Sequence, residues 1–258
     1  MAIPDPVPFL LVVARLSGLV LAAPIFGHLL VPMRVRAGFV GVLALALAPA
    51  VGGPGVEASV PWGLAGLVAM EAAIGVLIGF VAQLVFAGVQ LGGQVAGLQV
   101  GFGIASLIDP GSQASTTVVA QWQQLAALLV FLVLDVHHVV LRALIESFRV
   151  APVGHVVVSG ALLEGMIAQA ASLFAVGVRI AAPVLVTLLL VNGTLGVLAR
   201  TIPQLNVFAV GFPVNVGVGL LVLGASLPLT VRFLAGRFDD LAGVLATLVQ
   251  GLGALAHG

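Results

Sequence analysis

Long apolar blocks recur along the whole chain, and most end at a cluster of proline, glycine or charged residues, the pattern of successive helices separated by turns. The first block covers residues 9–31, holds Arg15, is interrupted at Pro24 and meets Pro32, Arg34 and Arg36. A shorter block, 38–51, ends in Gly52, Gly53, Pro54 and Gly55, after which Pro61 and Trp62 introduce the block 63–86. Two helices followed by one long helix are predicted here. From Gln90 the pattern turns glycine-rich, with Gly93, Gly97 and Gly101 at every fourth position and therefore on one helical face. Small residues there let a second backbone approach closely, and Gly75 with Gly79 and Gly88 with Gly92 repeat the spacing.

Asp109, Pro110, Gly111, Ser112 and Gln113 mark a turn, the polar run continues through Thr117, and Gln121, Trp122, Gln123 and Gln124 lead into the apolar block 125–141, which ends near Asp135, His137 and His138. Residues 151–160 read as a connection. The block 161–199 would extend about 58 Å as one helix, well beyond a hydrocarbon core of roughly 30 Å. A bend or break is therefore expected at Pro183 or between Asn192 and Gly196. The last strong block, 207–231, carries its own interruptions at Pro213 and Pro228, and 241–255 reads as a separate C-terminal helix.

Composition fixes the solvent: 61% of residues are hydrophobic and 7% charged, and the mean hydropathy is +1.29, far from the balance of a soluble domain. The apolar blocks are too many to be one cleavable leader, so a polytopic, all-α membrane protein is expected. All nine basic residues are arginine, nine acids balance them, and there is no cysteine. That excludes a disulfide scaffold, a thiolate nucleophile and a Cys-ligated metal, and offers no electrostatic footprint for nucleic acid. No phosphate-binding loop with a lysine, zincin pattern or nucleophile elbow occurs, so neither catalysis nor a cofactor is expected. Positive-inside counting gives an awkward topology, since no simple serpentine places all the arginines outside the apolar blocks on one side.

Charges inside apolar blocks are costly and need water, protein or a counter-charge. Arg15 and Glu71 are the charges of their respective long blocks, which makes them candidates for a buried ion pair, with partner subunits as the competing source of counter-charge. Arg179 and Asp135 also lie in or at the edge of apolar blocks. Asp135, His137 and His138 could serve a metal or a proton relay. Adjacent histidines near a helix end more often solvate an interface or cap carbonyl groups, and no further ligands lie nearby in sequence.

Three ordered islands add a resemblance. ARLSGLVLAAPIFGHLLVPMRVR from Ala14, GFGIASLIDPGSQ from Gly101 onward to Gln121 and Trp122, and AAPVLVTLLLVNGTLGVLARTIPQLNVFAVGFPVNVGVGLLVL from Ala181 are similar to the motifs of the FliR family of type III export-gate proteins. Pro183, Asn192, Gly196, Arg200, Pro203, Gln204, Asn206 and Phe208, followed by Gly211, Pro213 and Gly219, occupy the family's C-terminal signature. Asn215 departs from it, standing where a basic residue is more usual.

The resemblance implies a FliP-like N-terminal part over residues 1–160 and a FliQ-like C-terminal part over 161–258, built as discontinuous helical hairpins. It implies one copy of this chain with five FliP-like and four FliQ-like subunits, contacts with FlhB-like and FlhA-like proteins and with membrane lipid, and residence in the bacterial inner membrane within the flagellar basal body. Unfolded flagellar proteins would be the cargo. The segment Ile108, Asp109, Pro110, Gly111, Ser112, Gln113, Ala114 and Ser115 matches the family's loop toward a closed pore, and 193–208 its cytoplasmic-facing turn. A virulence-type injectisome subunit of the same architecture, or an unrelated transporter with broken helices, is the alternative.

Overall fold

Where no water reaches the backbone, a helix satisfies every N–H and C=O within its own segment, so apolar blocks of this composition fold as helices and stay helical through imperfect positions. The computed structural model describes residues 6–24, 27, 31–51, 61–103, 116–154, 160–202 and 207–253. Among the described residues there are seven helices and no strand. They are α1 (Pro6–Ala22), α2 (Met33–Val51), α3 (Pro61–Val100), α4 (Val118–Val133), α5 (Val136–Val150), α6 (Gly160–Thr201) and α7 (Val207–Gly253).

Three helices are long and apolar enough to cross a membrane, over Gly63–Val100, Glu164–Thr201 and Ala209–Leu252. The broken pair α4 and α5 makes a fourth if counted as one span. The chain is an all-α polytopic membrane protein. At 1.5 Å per residue α3, α6 and α7 extend about 60, 63 and 70 Å, each roughly twice a hydrocarbon core.

Several boundaries differ from those the sequence predicts, and each has a physical reason. The interruption expected at Pro24 is met, since the first block stops at Ala22, Pro24 disfavouring helical geometry in the residue before it; Ala23 and Gly27 still close single turns onto Leu19 and Ala23. The glycine-rich stretch after Gln90 is not a new element, since α3 runs unbroken from Pro61 to Val100. Pro183 does not break α6, and Pro213 and Pro228 do not break α7, which also absorbs the expected separate C-terminal helix. A proline removes one ladder hydrogen bond, at a cost of about 3 kcal/mol. Leaving the helix in an apolar medium would expose several more backbone groups at once. Near these prolines Thr187 Oγ1 donates back to the Pro183 carbonyl at 2.8 Å and Thr230 Oγ1 to that of Ser226 at 3.2 Å, back-bonds that bend a helix more than they break it.

The break appears instead inside the block 125–141. Asp135 takes the left-handed conformation (φ 55°, ψ 25°), the sole non-glycine with positive φ among the described residues, and separates α4 from α5. Asp tolerates this region better than most residues because its short polar side chain can bond locally.

The helices gather into two compact units. One comprises residues 1–84, 134–170 and 238–258, the other 85–133 and 171–237. The first is centred on Leu11, Leu16, Leu19, Ile74, Ile78 and Leu144, all but removed from solvent. In the second, Ala96, Val100, Val119, Val184, Leu188 and Leu223 form the core, with Phe102 and Val216 packed against it.

Candidate functional site: a buried arginine cluster and glycine-packed seams

Within the first unit α1 and α3 lie in backbone contact because glycines face each other's helix. A Cβ on Gly18 would collide with the backbone of Ala72 and Val76, and one on Gly75 with that of Arg15 and Leu19. This close approach carries Arg15 and Glu71, both 0% exposed, to each other. Arg15 Nε donates to Glu71 Oε2 at 2.6 Å.

The rest of the guanidinium faces the end of α5. Nη1 donates to the Ser147 carbonyl at 2.9 Å and to Ser147 Oγ at 3.1 Å, and Nη2 donates to the Ala151 carbonyl at 3.1 Å. Its planar face lies over the Phe148 ring, 4.3 Å from the centroid. The carbonyls of a last helical turn lack partners within the helix and carry the negative end of its dipole, so a buried cation suits them. Glu71 is saturated in turn: Oε1 accepts the Gly154 N–H at 2.9 Å, in a turn where Gly154 holds φ 83°.

A buried charge pair is tolerable only when its remaining donors and acceptors are bonded. Here four directed hydrogen bonds and an aromatic face surround the cation, and the carboxylate has a partner on each oxygen. The cluster offers no open valence to a ligand; chemically it is a clamp tying α1 and α3 to the α5 terminus.

In the second unit α3 continues as a packed helix. Gly88 faces Val176, Gly92 faces the Gly177 carbonyl, and Gly177 returns the contact to Leu91. About 100° round the helix, Gly93 faces Ala120 and Gln123, and Gly97 faces Thr117. Thr117 has two tasks: its Oγ1 donates to the Gly93 carbonyl at 3.2 Å and accepts the Ala120 N–H at 3.2 Å, capping α4. Gly101 ends α3 at φ 109°, and the Phe212 ring stands where its Cβ would point.

Asp135, His137 and His138 also converge. Asp135 Oδ1 lies 3.4 Å from His138 Nδ1 and 3.9 Å from His137 Nε2, and all three candidate ligand atoms fall within 4.8 Å of one another. Asp135 is exposed and makes no side-chain cap bond to α5. The trio could take a cation, but an Asp–His surface pair accounts for the same geometry.

A sequence profile of the bacterial export proteins, family 1, matches residues 7–241. The chain belongs to that family. It is 31% identical over 238 residues to the flagellar biosynthetic protein FliR of Escherichia coli (strain K12), covering 92% of this chain and 91% of the relative. To the protein of the same name from Bacillus subtilis (strain 168) it is 34% identical over 219 residues, 83% of this chain and 84% of the relative. The FliR of Pectobacterium carotovorum subsp. carotovorum is 33% identical over 242 residues, with 92% and 91% covered. FliR-family membership and the membrane-length helices make the chain a multi-pass membrane component of the flagellar export apparatus.

The FliR signature maps onto α6 and α7 unevenly. Asn192 and Asn215 meet in the second unit, Asn215 Nδ2 donating to Asn192 Oδ1 at 2.9 Å. Gly219 packs on Val100 and Gly211 is in ordinary contact with Leu195, whereas Gly196 faces open space and Arg200 is exposed. Pro183 and Pro213 lie inside their helices. Phe208 is in the first turn of α7. Pro203, Gln204 and Asn206, and the whole segment Ile108 to Ser115, lie outside the described residues. Sequence reasoning passed over Ser147, Ala151 and Gly154, which act through backbone groups, and Thr117, whose signal is an N-cap hydroxyl three residues before Ala120.

Proposed function

We propose that this chain is the single FliR-type subunit of a closed export gate, assembled with five FliP-like and four FliQ-like subunits in the bacterial inner membrane. The observation that carries this reading is how little of the chain's own membrane-length surface it covers. In the apolar windows of α3, α6 and α7, 56%, 33% and 11% is buried within the chain. Leu189, Leu190 and Val197 on α6, and Leu220, Leu221 and Leu229 on α7, stay exposed. Helices of about 60 to 70 Å exceed one hydrocarbon thickness, so lipid alone covers only part of that surface and neighbouring helices cover the rest.

On this reading residues 1–160 are the FliP-like part and 161–258 the FliQ-like part, the latter contributing α6 and α7 with their Asn192–Asn215 bond. The chain supplies one sector of the channel wall and hydrolyses nothing itself. FlhB-like and FlhA-like proteins contact the assembled gate, and unfolded flagellar proteins pass through it. Ile108 to Ser115, with its Pro-Gly pair and small polar residues, is the closing loop; Gly93, Gly97 and Gly101 seat the helix that precedes it.

The test is deletion of Gly111 to Ser115 in the assembled gate. The complex should keep its subunit composition and conduct ions under conditions where the unaltered gate is tight. An intact complex that stays tight rejects the closing-loop assignment.

A further inference from the structure

Helix α5 differs from the other six. Val136, Val140, Leu144 and Phe148 are buried, while His138, Arg142, Glu146 and Arg149 lie exposed toward the opposite side. Such a helix between apolar segments suits the interfacial layer, because its charges in hydrocarbon would each be penalised while the apolar face gains by burial.

Beside it, still within the first unit, runs a groove of about 580 Å³. Val139 and Ala143 line the α5 wall, and Ala242, Ala246 and Val249 the α7 wall. Arg142 and Arg149 border it seven residues apart, two helical turns or about 10 Å. Arg142 has no acidic partner among the described residues. Among the described residues Arg149 pairs with Glu146, at 3.2 Å, through side chains 75% and 52% exposed, a pair that water and salt weaken. The acidic Asp240 lines a separate cavity with Gly165 and Gly243, on the other flank of α7.

We propose that this groove binds an anionic phospholipid, its phosphate held by Arg142 and Arg149 and an acyl chain lying along Ala242, Ala246 and Val249. Charge complementarity selects this occupant. The groove rim carries two guanidiniums against one carboxylate, and guanidinium geometry matches phosphate oxygens in bidentate fashion. The apolar floor suits a hydrocarbon chain and gives little to a free phosphate. The site is independent of the gate stoichiometry and of the closing loop.

The experiment is native mass spectrometry of the full chain in detergent, titrated with dioleoyl-phosphatidylglycerol or dioleoyl-phosphatidylcholine. Phosphatidylglycerol should bind preferentially. Affinity for it should fall about fivefold in Arg142→Gln and about 25-fold in Arg142→Gln/Arg149→Gln, with phosphatidylcholine, whose choline offsets the phosphate charge, falling less. Glu146→Gln should act in the opposite direction, tightening phosphatidylglycerol by up to about fivefold, a gain that misfolding cannot imitate. Ala246→Phe should fill the groove and abolish the preference, while Arg232→Gln, outside it, should leave binding as it is. Equal binding of the two lipids, or an unchanged preference in the double arginine variant, overturns the proposal. So does an Ala246→Phe chain that keeps its lipid but loses another subunit from the purified assembly, which would make the groove a protein interface.

Discussion

Replacing either member of the Arg15–Glu71 pair leaves the other buried without its counter-charge, and the two replacements are not equivalent. Glu71→Gln removes the carboxylate charge, yet the guanidinium keeps three directed acceptors, the carbonyls of Ser147 and Ala151 and Ser147 Oγ, and the Phe148 face. The amide introduced by that change can still accept from Arg15 Nε or the Gly154 N–H, but its NH₂ group meets the other donor. About 2–3 kcal/mol of destabilisation is expected. Arg15→Gln is worse: the carboxylate of Glu71 keeps only the Gly154 N–H, and the Ala151 carbonyl loses its side-chain partner. About 3–5 kcal/mol is expected, the range for uncovering one member of a buried pair. In Arg15→Gln/Glu71→Gln two neutral amides can bond each other, so the double variant should recover about 2 kcal/mol relative to the sum of the singles. The assay is unfolding of the purified chain in mixed micelles with a denaturing detergent, followed by helical signal, on all four members of the cycle. Strict additivity would refute the argument that the pair acts as one unit, and a milder Arg15→Gln would refute its energetic ordering.

Gly97→Leu places a branched side chain where Thr117 sits; the overpacking should cost about 1–3 kcal/mol and lower recovery of the assembled complex, although the substitution raises hydrophobicity. Gly101→Ala forces an L side chain into φ 109° beside Phe212, and about 1–2 kcal/mol of destabilisation should appear in the same micellar unfolding. Asn192→Leu strands the Asn215 amide and should cost about 1–3 kcal/mol, whereas Asn192→Leu/Asn215→Leu should cost less than the single change; a double variant worse than the single would contradict that ranking.

The sequence makes the helices legible and their ends less so. Apolar blocks are read well because hydrocarbon tolerates little besides helix, but the same solvent removes the usual force of the break signals. Pro183, Pro213 and Pro228 each forfeit one backbone bond, and a continuous helix is still the better way to satisfy the remainder. The real break, at Asp135, has neither glycine nor proline and rests on a residue's tolerance of the left-handed region. Arg15 and Glu71 stand out because each is an isolated charge in an apolar block. Their other partners do not, since a carbonyl at Ala151 and an N–H at Gly154 leave no trace in side-chain identity. Glycine spacing alone does not separate seams from open faces: Gly93 and Gly97 meet Ala120 and Thr117, while Gly193 and Gly196 face open space. The difference lies in which neighbour the fold brings up.

On the reading proposed above, this chain is one sector of a larger closed wall rather than a channel by itself. Native mass measurement of the complex recovered through an affinity tag on this chain, coexpressed with the rest of its export apparatus, tests it most directly. One copy of this chain with five FliP-like and four FliQ-like subunits is expected; recovery of the chain alone, or of several copies in one assembly, would contradict that placement.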